Sequence, residues 1–151
     1  MASPTDSLAI GERDQRRAFA IFRLTMGINF LLHGVTRIIS GVTGFADQVS
    51  ANFTETPLPM PMVWWFLAVL PFIEAVIGFL MIVGLKTRWA LLGGGLLMAV
   101  LVFGTAIRSD WNALGTQMIY VFCYYFLISH SQRDSYGVDV WWNRRAAAAS
   151  G

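Results

Sequence analysis

Residues 62–85 read MVWWFLAVLPFIEAVIGFLMIVGL, and this stretch decides the fold. It holds one ionisable side chain, Glu74, near its middle, and its only breakers are Pro71 and two glycines. About 20 apolar residues, in a range of roughly 17–25, cross the hydrocarbon of a bilayer as a helix. Lipid offers the backbone no hydrogen-bond partner, so a helix is the form that satisfies it. A titratable group at that depth costs about 2.5–3.5 kcal/mol on insertion scales unless it finds a partner or a wet cavity. Glu74 therefore marks both a membrane span and a polar core inside it.

Working outward, three further apolar segments run from about Ala18 to Ser40, from Trp89 to Ile107 and from Ala113 to Ile128. The second span is taken from Pro61 to Leu85, and the fourth reaches full length only if Trp111 or His130 extends it. Apolar residues form 56% of the chain and charged ones 13%, against roughly 45–50% and 25% in an ordinary soluble domain. The composition thus points to an all-α integral membrane protein: a four-transmembrane-helix bundle with a short interfacial segment between helices 1 and 2. Phe45, Val49 and Phe53 recur at four-residue spacing and predict that segment as a short helix on the outer surface. Pro57, Pro59 and Pro61 end it and lead stiffly into the second span. The organisation expected is a cytoplasmic arm over 1–17, a membrane domain over 18–130 and a cytoplasmic tail over 131–151.

Positive charge alternates along the connections. Arg13, Arg16 and Arg17 precede span one, Lys86 and Arg88 link spans two and three, and Arg133, Arg144 and Arg145 follow span four. Gly41 to Met60 has no Lys or Arg, and the third connection has only Arg108. The positive-inside rule then puts both termini in the cytoplasm. Trp64, Trp65, Trp89 and Trp111 stand near span ends, where interfacial aromatics belong. Span one is too long for the apolar region of a signal peptide, and no small-residue cleavage site follows it.

Inside this frame, Asn29, His33 and Arg37 stand four residues apart along one helical stripe. Counting about 1.5 Å of rise per residue from each span's midpoint brings His33 and Glu74 within roughly 10 Å in depth. Gln117, Tyr120 and Tyr124 form a second polar stripe on span four. The seven residues are the candidate ligand-binding or proton-relay set. The plainer alternative is a Glu–His or Glu–Arg pair that neutralises itself and fixes helix register, with the tyrosines as packing aromatics. Arg23, near the cytoplasmic end, is expected to snorkel to the interface. Gly93-Gly94-Gly95, with Ala90 and Ala99, supplies the small residues that let helices approach closely.

Several chemistries are absent. There is no phosphate loop, no nucleophile elbow and no metal-ligand spacing, so no metal and no catalytic residue is assigned. The two histidines, His33 and His130, fall on opposite sides of the membrane, which excludes a bis-histidine haem in one chain. Cys123 reads as a small apolar filler. A charge of +2, scattered along the chain, excludes nucleic acid as a partner.

Arg23-x-x-x-Gly27-x-x-Phe30-x-x-His33-Gly34-x-x-Arg37 resembles the first helix of the DoxX family, which usually has Lys where this chain has Arg37. Glu74-x-x-x-Gly78, followed by Gly84-Leu85-Lys86-Thr87-Arg88, resembles that family's second helix and its cytoplasmic turn. The resemblance runs from about Arg23 to the end of span four. It implies a four-helix membrane protein related to the small subunit of thiosulfate:quinone oxidoreductase. Arginine in place of lysine keeps the charge but removes any role that needs a deprotonated amine. Two functions follow as expectations. One is a membrane subunit of an oxidoreductase system that binds quinone or a similar amphiphile, with no covalent cofactor. The other is a non-catalytic accessory or assembly subunit of a larger complex. Expected partners are membrane lipids and either proteins of a membrane complex or further copies of the chain.

Overall fold

Proline spacing, glycine turns and one aspartate cap cut the apolar sequence into helices close to the expected limits. The computed structural model describes residues 4–149, and all regular structure among them is helical. The helices are α1 Pro4–Ser40, α2 Val42–Ser50, α3 Met60–Val83, α4 Thr87–Ile107, α5 Trp111–Ser129 and α6 Val138–Ala149. Single 3-10 turns at Ala51–Phe53 and Ser131–Arg133 follow α2 and α5. α1, α3 and α4 are long and apolar enough to cross a membrane. α5 has the length, 19 residues, but Asn112, Gln117 and its tyrosines dilute its hydropathy.

Local chemistry sets the boundaries. α1 runs back to Pro4, so from there on the arm expected over 1–17 is the start of the first helix. Glu12–Arg16 at 3.9 Å and Asp14–Arg17 at 3.4 Å are exposed pairs on adjacent turns, each contributing about 0.2–0.5 kcal/mol. α3 stops at Val83, before the expected Leu85, because Gly84 takes the left-handed conformation (φ 69°). Its N–H and that of Leu85 both bond the Leu80 carbonyl, at 2.9 and 3.1 Å, which satisfies an otherwise orphaned acceptor. α5 starts at Trp111 because the Asp110 side chain accepts from the Ala113 N–H at 3.2 Å.

Glycines then bring the helices together. α1 runs antiparallel to α3, and Gly27, Gly34 and Gly78 form the contact. A β-carbon at Gly34 would lie 2.5 Å from the Ala75 amide nitrogen, and one at Gly78 would lie 2.7 Å from the Gly27 carbonyl oxygen. Only a hydrogen fits at either place. α4 packs on α3 and on α5, where the Tyr124 ring lies against Gly94; a β-carbon there would sit 2.5 Å from Tyr Cε1. Gly94 is thus used for close packing within the bundle, as its spacing with Ala90 predicts. α5 returns to α1 along a narrow seam. Phe30, Met81, Leu91, Tyr124 and Leu127 fill the centre, while Leu96, Phe103, Ile119 and Phe122 face outward. An apolar core inside an apolar exterior is the pattern of a bundle made for lipid.

α2 folds back at Gly41, whose φ of 102° suits glycine. It lies on α3, with Ala46 and Phe53 buried and the Trp64 indole N–H donating to Asp47 at 2.6 Å. The helix predicted from Phe45, Val49 and Phe53 exists, and its apolar face covers α3.

Candidate functional site

Glu74 is almost fully enclosed, its side chain 7% exposed, and its partner is Arg37. Gly34 makes this pairing reachable, because it lets α1 close onto the turn of α3 that carries Pro71 and Ala75. The Arg37 side chain, 27% exposed, also lies over the Phe45 ring of α2 at 4.7 Å. A guanidinium suits this position, since it stacks on a ring while its N–H groups engage a carboxylate. Arg37 therefore turns inward, towards Glu74 and Phe45.

Beside this pair a cavity of about 460 Å³ opens between α2, α3, α4 and the start of α5. Phe45, Phe53 and Phe66 form apolar walls, and Arg37, Gln117 and Arg108 supply its polar groups. Arg108 stacks over Phe53 at 4.9 Å and donates from Nη2 to Asp110 at 3.2 Å. Its Nε and the Gln117 Oε1 are buried without partners among the described residues. A second pocket, polar and about 640 Å³, adjoins on the loop side, lined by Asn52, Glu55, Thr56 and Asp110, and it shares Arg108 with the first. One arginine thus stands between an apolar chamber and a polar one. That arrangement accepts a molecule with an apolar body and a polar end.

Six of the seven residues singled out from sequence divide into three groups. Arg37, Glu74 and Gln117 belong at or beside the cavity. Asn29 and Tyr120 form a separate bridge from α1 to α5, the Asn29 amide donating to the Tyr120 hydroxyl at 2.8 Å. Tyr124, 1% exposed, is a packing residue; its ring meets Phe30 edge-on at 5.3 Å and its hydroxyl donates to Met81 Sδ at 3.6 Å.

His33 corrects the expectation, because it is exposed on the bundle's exterior and does not face Glu74. The reason is helical phase. Four-residue steps advance about 400°, so a 29/33/37 stripe drifts by about 40° per step. Arg37 has rotated into the α3 contact, whereas His33 has not.

A second polar cluster lies at the opposite end of the bundle, where Arg23 was expected to snorkel. Arg23 is 3% exposed and donates to Asp134 at 3.0 Å, to the Tyr136 carbonyl at 2.8 Å and to the Thr87 hydroxyl at 3.3 Å. Asp139 caps α4, accepting from the Lys86 and Thr87 amides, each at 2.9 Å. The segment after α5 is thus bound to the bundle. A lone aspartate far along the chain gave no sequence signal for this contact. Along the sequence Arg108 reads as topology and Phe45 and Phe53 as surface patterning, and only their convergence on one cavity assigns them to a site.

No group of three or more potential metal ligands occurs among the described residues. The family model named DoxX matches residues 18–106. No curated protein and no solved structure matches the chain.

Proposed function

The chain belongs to the DoxX family, and from that premise we propose that it is a membrane subunit of an oxidoreductase system that binds quinone or a similar amphiphile beside Arg37. In this reading α5 joins α1, α3 and α4 as a fourth span, and α2 is the interfacial segment between the first two spans. The chain lies in the inner membrane of a bacterium with both termini cytoplasmic. The alternation of Lys and Arg along the connections supports that orientation, and the packing of α5 along α4 supports the fourth span.

The observation that carries the proposal is the cavity. Its volume, about 460 Å³, lies within the roughly 300–1,000 Å³ of small-molecule sites. The residues present fit a quinone: phenylalanine walls suit a ring and an isoprenoid tail, and Arg37 and Arg108 bring N–H donors suited to ring carbonyls. When bound, the quinone supplies the electron-carrying ring. The chain's own residues bind and orient it, and Glu74 acts by holding the Arg37 guanidinium in place. Electrons then come from a partner protein. Asn29 and Tyr120 stiffen the neighbouring helices without touching the ligand.

The accessory-subunit reading has an observation of its own: Arg23, Arg37, Glu74 and Asp134 pair among themselves, as a purely structural polar core would. A thermal-shift titration with short-tailed quinone analogues separates the two. Ligand that binds only the folded chain raises the melting temperature by mass action. The shift should shrink in Arg108→Gln and persist in His33→Leu. No shift in the wild-type chain, together with no quinone in extracts of the purified protein, overturns the binding proposal and leaves the accessory role.

A further inference from the structure

We propose that the seam between α1 and α5, at the end of the bundle that bears Arg23, is a binding site for one anionic phospholipid. A groove of about 370 Å³ runs along it, walled by Phe19 and Phe22 of α1 and by Phe122 and Phe126 of α5, with His130 and Arg133 at its mouth. No carboxylate lines it among the described residues. The site is separate from the cavity beside Arg37, and the inference depends only on the chain being embedded in lipid.

The apolar part matches acyl chain. Phe122 is 67% exposed and Phe22 meets Phe126 edge-on at 5.7 Å, so the rings form a surface open to the bundle's exterior. From Phe122 to His130 the helix rises about 12 Å, at roughly 1.5 Å per residue. One leaflet of hydrocarbon is about 15 Å deep, half of the roughly 30 Å core. The groove therefore spans most of a leaflet and ends where headgroups begin.

The polar part matches phosphate. Arg133 is half-buried and has no ion-pair partner among the described residues. Its neighbour Asp134 cannot neutralise it, because that carboxylate turns the other way to Arg23 at 3.0 Å. The bond from Arg23 to the Tyr136 carbonyl holds the same turn from behind. His130 lies flat on Phe126, with ring centroids 4.3 Å apart, and Nδ1 donates to the Phe126 carbonyl at 2.9 Å. That leaves Nε2 at the mouth without a partner among the described residues. An uncompensated guanidinium fixed over an apolar groove favours an anionic head over a zwitterionic one, and its planar fork fits phosphate oxygens.

Native mass spectrometry of the full chain, released from micelles doped with equal phosphatidylglycerol and phosphatidylcholine, tests this. The wild-type chain should retain one phosphatidylglycerol about fivefold in preference to phosphatidylcholine, the effect of one well-placed cation near a membrane surface. Arg133→Gln should abolish the preference and Arg133→Lys should keep part of it. Arg88→Gln should keep all of it, because exposed Arg88 carries the same charge at the same end of the bundle but does not line this groove. Equal retention of both lipids by the wild type overturns the proposal. So does an equal loss in Arg88→Gln, which would mean diffuse surface charge. Displacement of the lipid by millimolar inorganic phosphate would mean an anion site without a lipid preference, and it overturns the proposal as well.

Discussion

Consider a double-mutant cycle on Arg37 and Glu74. Removing one member of a buried ion pair costs about 3–5 kcal/mol, because the other is left uncompensated in low dielectric, whereas replacing both by apolar groups is often near neutral. The two singles should differ. Arg37→Leu strands a carboxylate whose side chain is 7% exposed, so its cost lies near the top of that range. Glu74→Leu strands a guanidinium that is 27% exposed, stacked over Phe45 and facing the cavity, so its cost lies near or below the bottom, at about 2–3 kcal/mol. The double leucine variant should lose less than either single, giving a coupling at least as large as the Arg37→Leu cost, about 5 kcal/mol. Reversible unfolding of the detergent-solubilised chain reads all four states. Losses that add within about 0.5 kcal/mol would show that the two side chains do not depend on each other and would refute the pairing. The same cycle on His33 and Glu74 should be additive, since His33 faces out.

Gly34→Ala must push α1 and α3 apart by more than about 0.9 Å, since its β-carbon would lie 2.5 Å from the Ala75 amide nitrogen and nearer still to the Pro71 carbonyl oxygen, against the 3.4 Å of ordinary contact; a loss of about 1–3 kcal/mol in the same assay is expected, and an unchanged melting temperature would deny the contact. Asp139→Ala should cost about 0.5–2 kcal/mol as α4 loses its cap, with faster hydrogen exchange at the Lys86 and Thr87 amides. Arg23→Leu should free the segment after α5 by stranding Asp134, seen as faster limited proteolysis beyond His130; unchanged cleavage would contradict the tether. For orientation, a cysteine at exposed Asn52 should react with an impermeant maleimide from the periplasmic side and one at exposed Lys86 should not, and the reverse pattern would invert the topology.

The helices and the family are legible in the sequence because both are written in local terms. Span length depends on consecutive apolar side chains, the start of α3 on the prolines before it, and the family on spaced residues along α1 and α3. Depth was legible as well, since rise per residue is constant: Glu74 does meet a partner from α1. Which partner it meets was not. That depends on the angle at which each side chain leaves its helix and on the rotation of one helix about its axis against another. Gly27, Gly34 and Gly78 set that rotation by admitting the opposing backbone on one face only, and on that face Arg37 points inward while His33 points to the exterior. The cavity was hidden for the same reason. Phe45, Phe53, Gln117 and Arg108 come from three separate stretches of sequence, and a pocket is the space their packing fails to fill, which no single stretch encodes. Arg23 shows the limit most plainly: alone on a helix it reads as a cation seeking water, and it is buried because Asp134, more than a hundred residues away, folds back to meet it.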